Sequence, residues 1–211
     1  MNTTNYAKEL ERIIGRIDTK NRKKLLIHSC CAPCSSYCLI YLLPYFDITC
    51  FFFNPNITDR SEYEKRLSMM YVLTGRINGE FEKELAGAKI GVVEGDYRPE
   101  EFMDAVRSKG LESEPEGGRR CDMCFSMRLK ETYEYAEKEG FDYFTTTLTI
   151  SPHKNAKAIN DIGYALCEEN GPVWLPSDFK KNDGFKRSIE LSKKYGLYRQ
   201  DYCGCYYVRS T

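Results

Sequence analysis

The sequence predicts an α/β fold, a mostly parallel sheet with helices on both faces, and three observations predict it. Short runs rich in β-branched and aromatic residues alternate with polar-apolar stretches of helical length. Crossovers of that length between strands are right-handed and give parallel pairing. A chain of 211 residues, 42% apolar and 29% charged, suits one domain with a real core, spanning residues 1–211.

The elements follow in order. Tyr6, Leu10, Ile13, Ile14 and Ile17 recur at helical spacing and predict an N-terminal helix within residues 1–20. "KLLIHS" (24–29) reads as a buried strand, and Pro33 suits the first turn of a helix running towards Leu43. "DITCFFF" (47–53) is the next strand, and Ser61 with Glu64 suggests a capping box opening a helix to about Thr74. Then come a strand over 88–95, a helix over 99–110, the loop "LESEPEGGRR", a helix from about Cys121 to Glu139, a strand over 142–149 and a helix over 155–169. A short strand near "VWLP" and a helix near 184–195 lead into "GLYRQDYCGCYY". No repeat or low-complexity segment interrupts this alternation.

Charge and hydropathy exclude some functions. The 31 basic and 31 acidic residues cancel, so any nucleic acid must be held by local patches. No apolar run approaches the length needed to span a bilayer, and the first 24 residues lack a hydrophobic h-region. A cytosolic protein is expected. Ten cysteines in a reducing compartment point to metal or redox chemistry rather than to disulfides.

The thiols carry the chemistry. "CCAPC" holds the C-x-x-C pair Cys31 and Cys34, and "RRCDMC" holds a second, Cys121 and Cys124. Two such pairs supply the four sulfurs that zinc or a cubane iron–sulfur cluster needs. A thioredoxin-like role for "CAPC" would leave Cys30 and the second pair unexplained. "YCGC" adds Cys203 and Cys205, with Gly204 allowing a tight turn around a ligand, so with Cys30 three further thiols remain for a second metal or a redox pair. Adjacent cysteines such as Cys30 and Cys31 are expected to point in different directions. Cys38, Cys50 and Cys167 lie in apolar patterns and read as core, as does His28 within a strand.

A parallel sheet binds its ligand at the carboxyl ends of its strands, which is where "CCAPC" and "SPHKN" (151–155) fall. His153 and Lys154 are therefore placed to donate a proton or touch a phosphate. Arg119 and Arg120 stand beside a cysteine pair, and Lys180 and Lys181, with Lys186 and Arg187, form a second basic cluster. Tyr198, Tyr202, Tyr206 and Tyr207 either stack on a base or pack the chain end. Neither G-x-x-x-x-G-K-[ST] nor G-x-G-x-x-G occurs, and no serine-glycine-glycine loop follows the first strand, so nucleotide hydrolysis is not expected.

Taken in order, "HSCCAPC", "FFFNPNI", "SEYEKR", "GGRRCDMC", "TTLTISPHKN" and "LYRQDYCGC" resemble the QueH-type, cobalamin-independent epoxyqueuosine reductases, over about residues 24–207. The resemblance implies an adenine-nucleotide alpha-hydrolase (HUP)-like fold with the phosphate loop replaced by cysteines. It implies reduction of epoxyqueuosine at the tRNA wobble position to queuosine, with a [4Fe–4S] cluster and a neighbouring mononuclear iron or zinc. Some members carry aspartate where this chain has Cys34. On this basis Cys31, Cys34, Cys121 and Cys124 are expected to hold the cluster, and Cys30, Cys203 and Cys205 the second metal. Tyr202, Asp201 and His153 are the candidate proton donors, and Arg119, Arg120, Lys154, Lys180 and Lys181 the candidate tRNA contacts. A small redox protein is the expected electron donor, and ATP is not expected to take part. Two other classes stay open on the residues alone: an iron–sulfur tRNA sulfurtransferase of related fold, which needs ATP, and a zinc-stabilised RNA-binding module.

Overall fold

The computed structural model describes residues 4–85 and 89–209. Its elements in chain order are helix α1 (Tyr6–Ile14), strand β1 (Lys23–His28), α2 (Ala32–Leu42), β2 (Phe46–Phe52), α3 (Arg60–Glu80), a single turn α4 (Glu82–Leu85) and β3 (Gly91–Glu94). After these come α5 (Pro99–Ser108), α6 (Arg119–Lys138), β4 (Tyr143–Thr146), a 3-10 turn (Thr147–Ile150), α7 (Ala156–Ala165), β5 (Val173–Trp174), α8 (Gly184–Lys194) and a terminal turn α9 (Tyr206–Arg209). The strands form a five-stranded sheet in the order β3-β2-β1-β4-β5, and all four pairings are parallel. No helix among the described residues is long and apolar enough to cross a membrane.

Both faces of the sheet are covered. Leu25 and Ile27 of β1 enter one core with Ile48, Cys50 and Phe52, against residues of α1, α2 and α3. Leu26, between them, enters the other core with Phe51, Phe125, Leu129, Phe144 and Trp174. Side chains of a strand alternate between faces, so β1 reads as a continuous apolar run because both of its faces are buried.

Several boundaries differ from the expected ones for local reasons. The cap of α3 is Asp59 rather than Ser61: its carboxylate accepts from the backbone N–H groups of Ser61 and Glu62, and the Ser61 hydroxyl donates to it. The helix then runs on past Thr74 because Met70, Leu73 and Ile77 continue one buried stripe. Strand β4 ends at Thr146 because its hydroxyl accepts from Leu148 N–H and turns the chain into the 3-10 segment. Of the strand expected over 88–95, residue 88 lies outside the described residues and 91–94 pair with β2. Cys38 and Cys50 are buried as expected, whereas Cys167 is exposed at the end of α7.

Chain order and strand order together locate a crevice. From β1 the chain steps outward through β2 to β3, then returns to the other side of β1 as β4 and continues to β5. The loops leaving β1 and β4 therefore run in opposite directions, and ligands of such sheets bind at that switch point.

At Gly163 of α7 an added methyl would stand 2.2 Å from the Trp174 ring. Overpacking costs about 1–3 kcal/mol, against about 1 kcal/mol of helix propensity that alanine gains. Gly163→Ala should therefore lower the urea midpoint, read by fluorescence of Trp174, the one tryptophan of the chain. An unchanged midpoint would contradict this packing of α7 on β5.

Candidate metal centre

Residues 30–34 sit at the carboxyl end of β1. Ser29 N–H bonds to Phe51 O at 2.9 Å, which prolongs the strand by one residue. Cys31 is extended, with φ −169° and ψ 153°, and the chain enters α2 at Ala32 with Pro33 in the first turn. This abrupt change of direction brings the sulfurs of Cys30, Cys31 and Cys34 within 4.8 Å of one another, and those of the adjacent Cys30 and Cys31 to 3.8 Å. The expectation that these two neighbours diverge is corrected: the turn into the helix makes them converge. Hydrogen bonds from Cys31 and Cys34 hold the Cys30 thiol well below its usual range, and the positive end of α2 favours a thiolate there.

The second group comes from two other segments. Cys121 and Cys124, three residues apart in the first two turns of α6, share a helix face. Gly117 N–H donates to Cys121 Sγ at 3.2 Å. Cys203 and Cys205 flank Gly204, whose φ of +93° only glycine adopts without strain. A hydrogen bond from Cys205 brings the Cys203 thiol down to about 6. Cys121, Cys124, Cys203 and Cys205 all line a cavity of about 30 Å³. Beside it, an opening of about 420 Å³ is lined by Cys30 and Cys34 and again by Cys203. Cys203 thus stands in the wall between the two thiol groups.

The other sequence-predicted residues divide. His153, Asp201 and Tyr202 converge on the larger opening, and Lys154 reaches both cavities. Arg119 is exposed and paired with Glu114, while Arg120 turns inward and donates to the carbonyls of Leu111 and Glu112. Lys180 pairs with Asp178, and Lys181 lines a separate groove between α1 and α8. His28 is buried, as expected of a core histidine. Its Nε2–H donates to Phe53 O, so Nδ1 accepts from the Thr146 hydroxyl, and burial with the nearby Arg128 charge holds its pKa down to about 3.

Arg66, Glu62, Asn56, Asn54 and Arg128 bind the site together and carried no role in the sequence analysis. Arg66 of α3 is 1% exposed and donates to Glu62 at 2.7 Å, to Cys203 O at 3.2 Å and to Tyr202 O at 3.3 Å. Tyr198 OH donates to the same Glu62, and Asn56 donates to Cys203 O. One buried guanidinium and one amide therefore fix the C-terminal loop. Asn54 donates to Ser29 O and accepts from Arg128, tying the β1 end to α6. The repeated asparagine in "NPN" and the i,i+4 spacing of Glu62 and Arg66 in "SEYEKR" were the available signals.

The thiols fit a metal centre on the chemistry of the donor set and on charge. Four-coordinate sulfur at about 2.3 Å from an ion puts ligand sulfurs about 3.8 Å apart, the spacing found between Cys30 and Cys31. Arg128 is buried, lines the smaller cavity and has no carboxylate partner among the described residues, which calls for negative charge in that cavity.

Comparison with known proteins bears on this geometry. The sequence profile of the family described as "Epoxyqueuosine reductase QueH" matches residues 25–211. A protein of that description from Staphylococcus epidermidis is 44% identical over 205 residues, 97% of this chain and 84% of its own length. Relatives of the same description from Streptococcus pyogenes and Thermotoga maritima are 46% and 35% identical, over 89% and 86% of this chain and 71% and 88% of their own lengths.

Removing Arg66 leaves a buried carboxylate unpaired, a loss of about 3–5 kcal/mol, and frees the loop that it holds. In metal-free, reduced protein, Arg66→Ala should raise the alkylation rates of Cys203 and Cys205 at least tenfold over wild type while Cys38 and Cys50 stay protected. Mass-spectrometric mapping of the alkylated thiols reads this directly. Equal rates in the two proteins would show that Arg66 does not hold the loop.

Proposed function

The chain belongs to the epoxyqueuosine reductase QueH family, an oxidoreductase family, and from that premise we propose that its seven clustered thiols hold a [4Fe–4S] cluster and an adjacent iron or zinc. The single observation carrying this is the meeting of three separate cysteine motifs on two adjoining cavities with Cys203 in their shared wall. Reduction of epoxyqueuosine to queuosine removes one oxygen, consuming two electrons and two protons and releasing water. Side chains alone supply no electrons. A bound cluster supplies them singly, and a neighbouring ion supplies Lewis acidity towards the epoxide oxygen.

The side-chain grouping supports a division of ligands different from the one expected from spacing. Cys30, Cys31 and Cys34 are close enough for a single ion, and the aspartate that some members carry at the Cys34 position is a ligand suited to one. Cys121, Cys124, Cys203 and Cys205 line one cavity as a set of four, the number a cubane takes. The remaining residues position and protonate. His153, Asp201 and Tyr202 face the larger opening, where a donor must reach the epoxide oxygen, and Arg66 with Asn56 keeps Cys203 facing both cavities.

The substrate is a tRNA, and the neutral net charge leaves its phosphates to local side chains such as Arg119, Lys180 and Lys181. A small one-electron carrier protein supplies the electrons and the reaction proceeds without ATP, in the cytoplasm where tRNA is modified.

Anaerobic protein incubated with epoxyqueuosine-containing tRNA and a strong reductant should yield queuosine, found by nucleoside mass spectrometry as the loss of one oxygen. A fully metal-loaded protein that leaves the epoxide intact would overturn the reading. Cys124→Ser should lose the cluster iron, whereas Cys34→Asp should keep the cluster spectrum. Loss of the cluster in both would return the ligands to the pairing expected from spacing. Affinity for tRNA should fall with added salt, with a modest slope, because lysine and arginine contacts release counterions. Affinity independent of ionic strength would contradict binding through phosphates.

A further inference from the structure

Arg66 and Arg128 are both buried, yet among the described residues only Arg66 has a counter-ion. Arg66 is paired with Glu62. Among the described residues Arg128, 2% exposed, bonds only to neutral oxygens: Nε to Cys124 O at 3.4 Å and Nη1 to Asn54 Oδ1 at 3.3 Å. A buried cation without an anion is among the costlier things a fold can contain. Its place is specific, since it lines the small cavity beside Cys121, Cys124, Cys203 and Cys205. Lys154, on the loop following β4, lines both cavities and likewise makes no ion pair or hydrogen bond through its ammonium among the described residues. The carboxylates on the same walls are Glu116 and, in the larger opening, Asp201, and neither pairs with Arg128 or Lys154.

We propose that Arg128 and Lys154 are the built-in counter-charges of the metal centre, placed between the two thiol groups to hold its reduction potential up. This assignment rests on the metal-centre reading above. A cluster held by four thiolates carries net negative charge and gains more on reduction. Two fixed cations in a buried setting stabilise the reduced form more than the oxidised one, because Coulomb energies grow as the local dielectric falls. Both are electrostatic positioning groups that act through the cluster. Asn54 fixes the geometry by bonding Arg128 on one side and Ser29 O, beside Cys30, on the other.

The test is a redox titration of anaerobically purified, iron-loaded protein, followed by visible absorption and electron paramagnetic resonance. Arg128→Gln should shift the midpoint to lower potential, whereas Arg128→Lys, which keeps the charge, should stay near wild type. Lys154→Gln should shift it the same way by less, because Lys154 is less deeply buried than Arg128. If Arg128→Gln does not fold, Lys154→Gln still decides, since its ammonium holds no structural hydrogen bond, and an unchanged midpoint there overturns the proposal. Equal midpoints for Arg128→Gln and Arg128→Lys would also overturn it, by showing that shape rather than charge matters. A wild-type protein that binds no iron would overturn the metal-centre reading itself. Iron-loaded protein with variants that do not shift overturns only the counter-charge.

Discussion

The crevice between the carboxyl ends of β1 and β4 is the constraint on which the rest depends. These two strands are neighbours in the sheet but far apart in the chain, and the loops that follow them diverge. Backbone groups at such a point are not covered by a neighbouring crossover, so side chains of the loops, of the α6 start and of the C-terminal segment meet there. Nucleotide-binding sheets fill this position with a glycine-rich loop around phosphate. Here Cys30 and Cys31 occupy the turn and Cys34 the first turn of α2.

Thiols drawn from three distant segments need more than proximity, because each must be kept in place before any ligand arrives. The β1 group is fixed by the strand–helix turn itself. The α6 pair is fixed by helical phase, three residues apart on one face. The C-terminal pair has no long regular element of its own, and its position comes from Arg66, Glu62, Asn56 and the left-handed Gly204. Its place is thus set by α3 and the loop that precedes it, on the opposite side of the crevice from α6. That division explains why a long helix far from the cysteines in sequence has two charged side chains buried at its start.

Much of the fold was legible because burial on both faces imposes a simple pattern. In the runs "KLLIHS" and "DITCFFF", Leu25, Ile27, Ile48, Cys50 and Phe52 enter one core and Leu26, Phe51 and Phe53 the other. The cysteine motifs were legible since metal chemistry demands thiols at short spacing. Three features were not. Asp59 displaced Ser61 as the cap of α3 because its carboxylate reaches the N–H groups of Ser61 and Glu62, so the helix already starts at Arg60. Arg120 looked like a surface phosphate contact, but its place in the first turn of α6 points it into the loop carbonyls of Leu111 and Glu112. The i,i+4 spacing records the Glu62–Arg66 pair, but what Arg66 holds and what Arg128 faces lie in segments distant in sequence, which no local pattern records.

The account stands or falls on two metal sites at one sheet edge, and Mössbauer spectroscopy of anaerobic protein grown on iron-57, with total metal analysis, tests it most directly. The account predicts the spectrum of a [4Fe–4S] cluster together with one further iron or zinc ion per chain. Protein carrying a single zinc ion and no cluster iron would contradict it, and the thiols of residues 30–34, 121–124 and 203–205 would then serve structure rather than electron transfer.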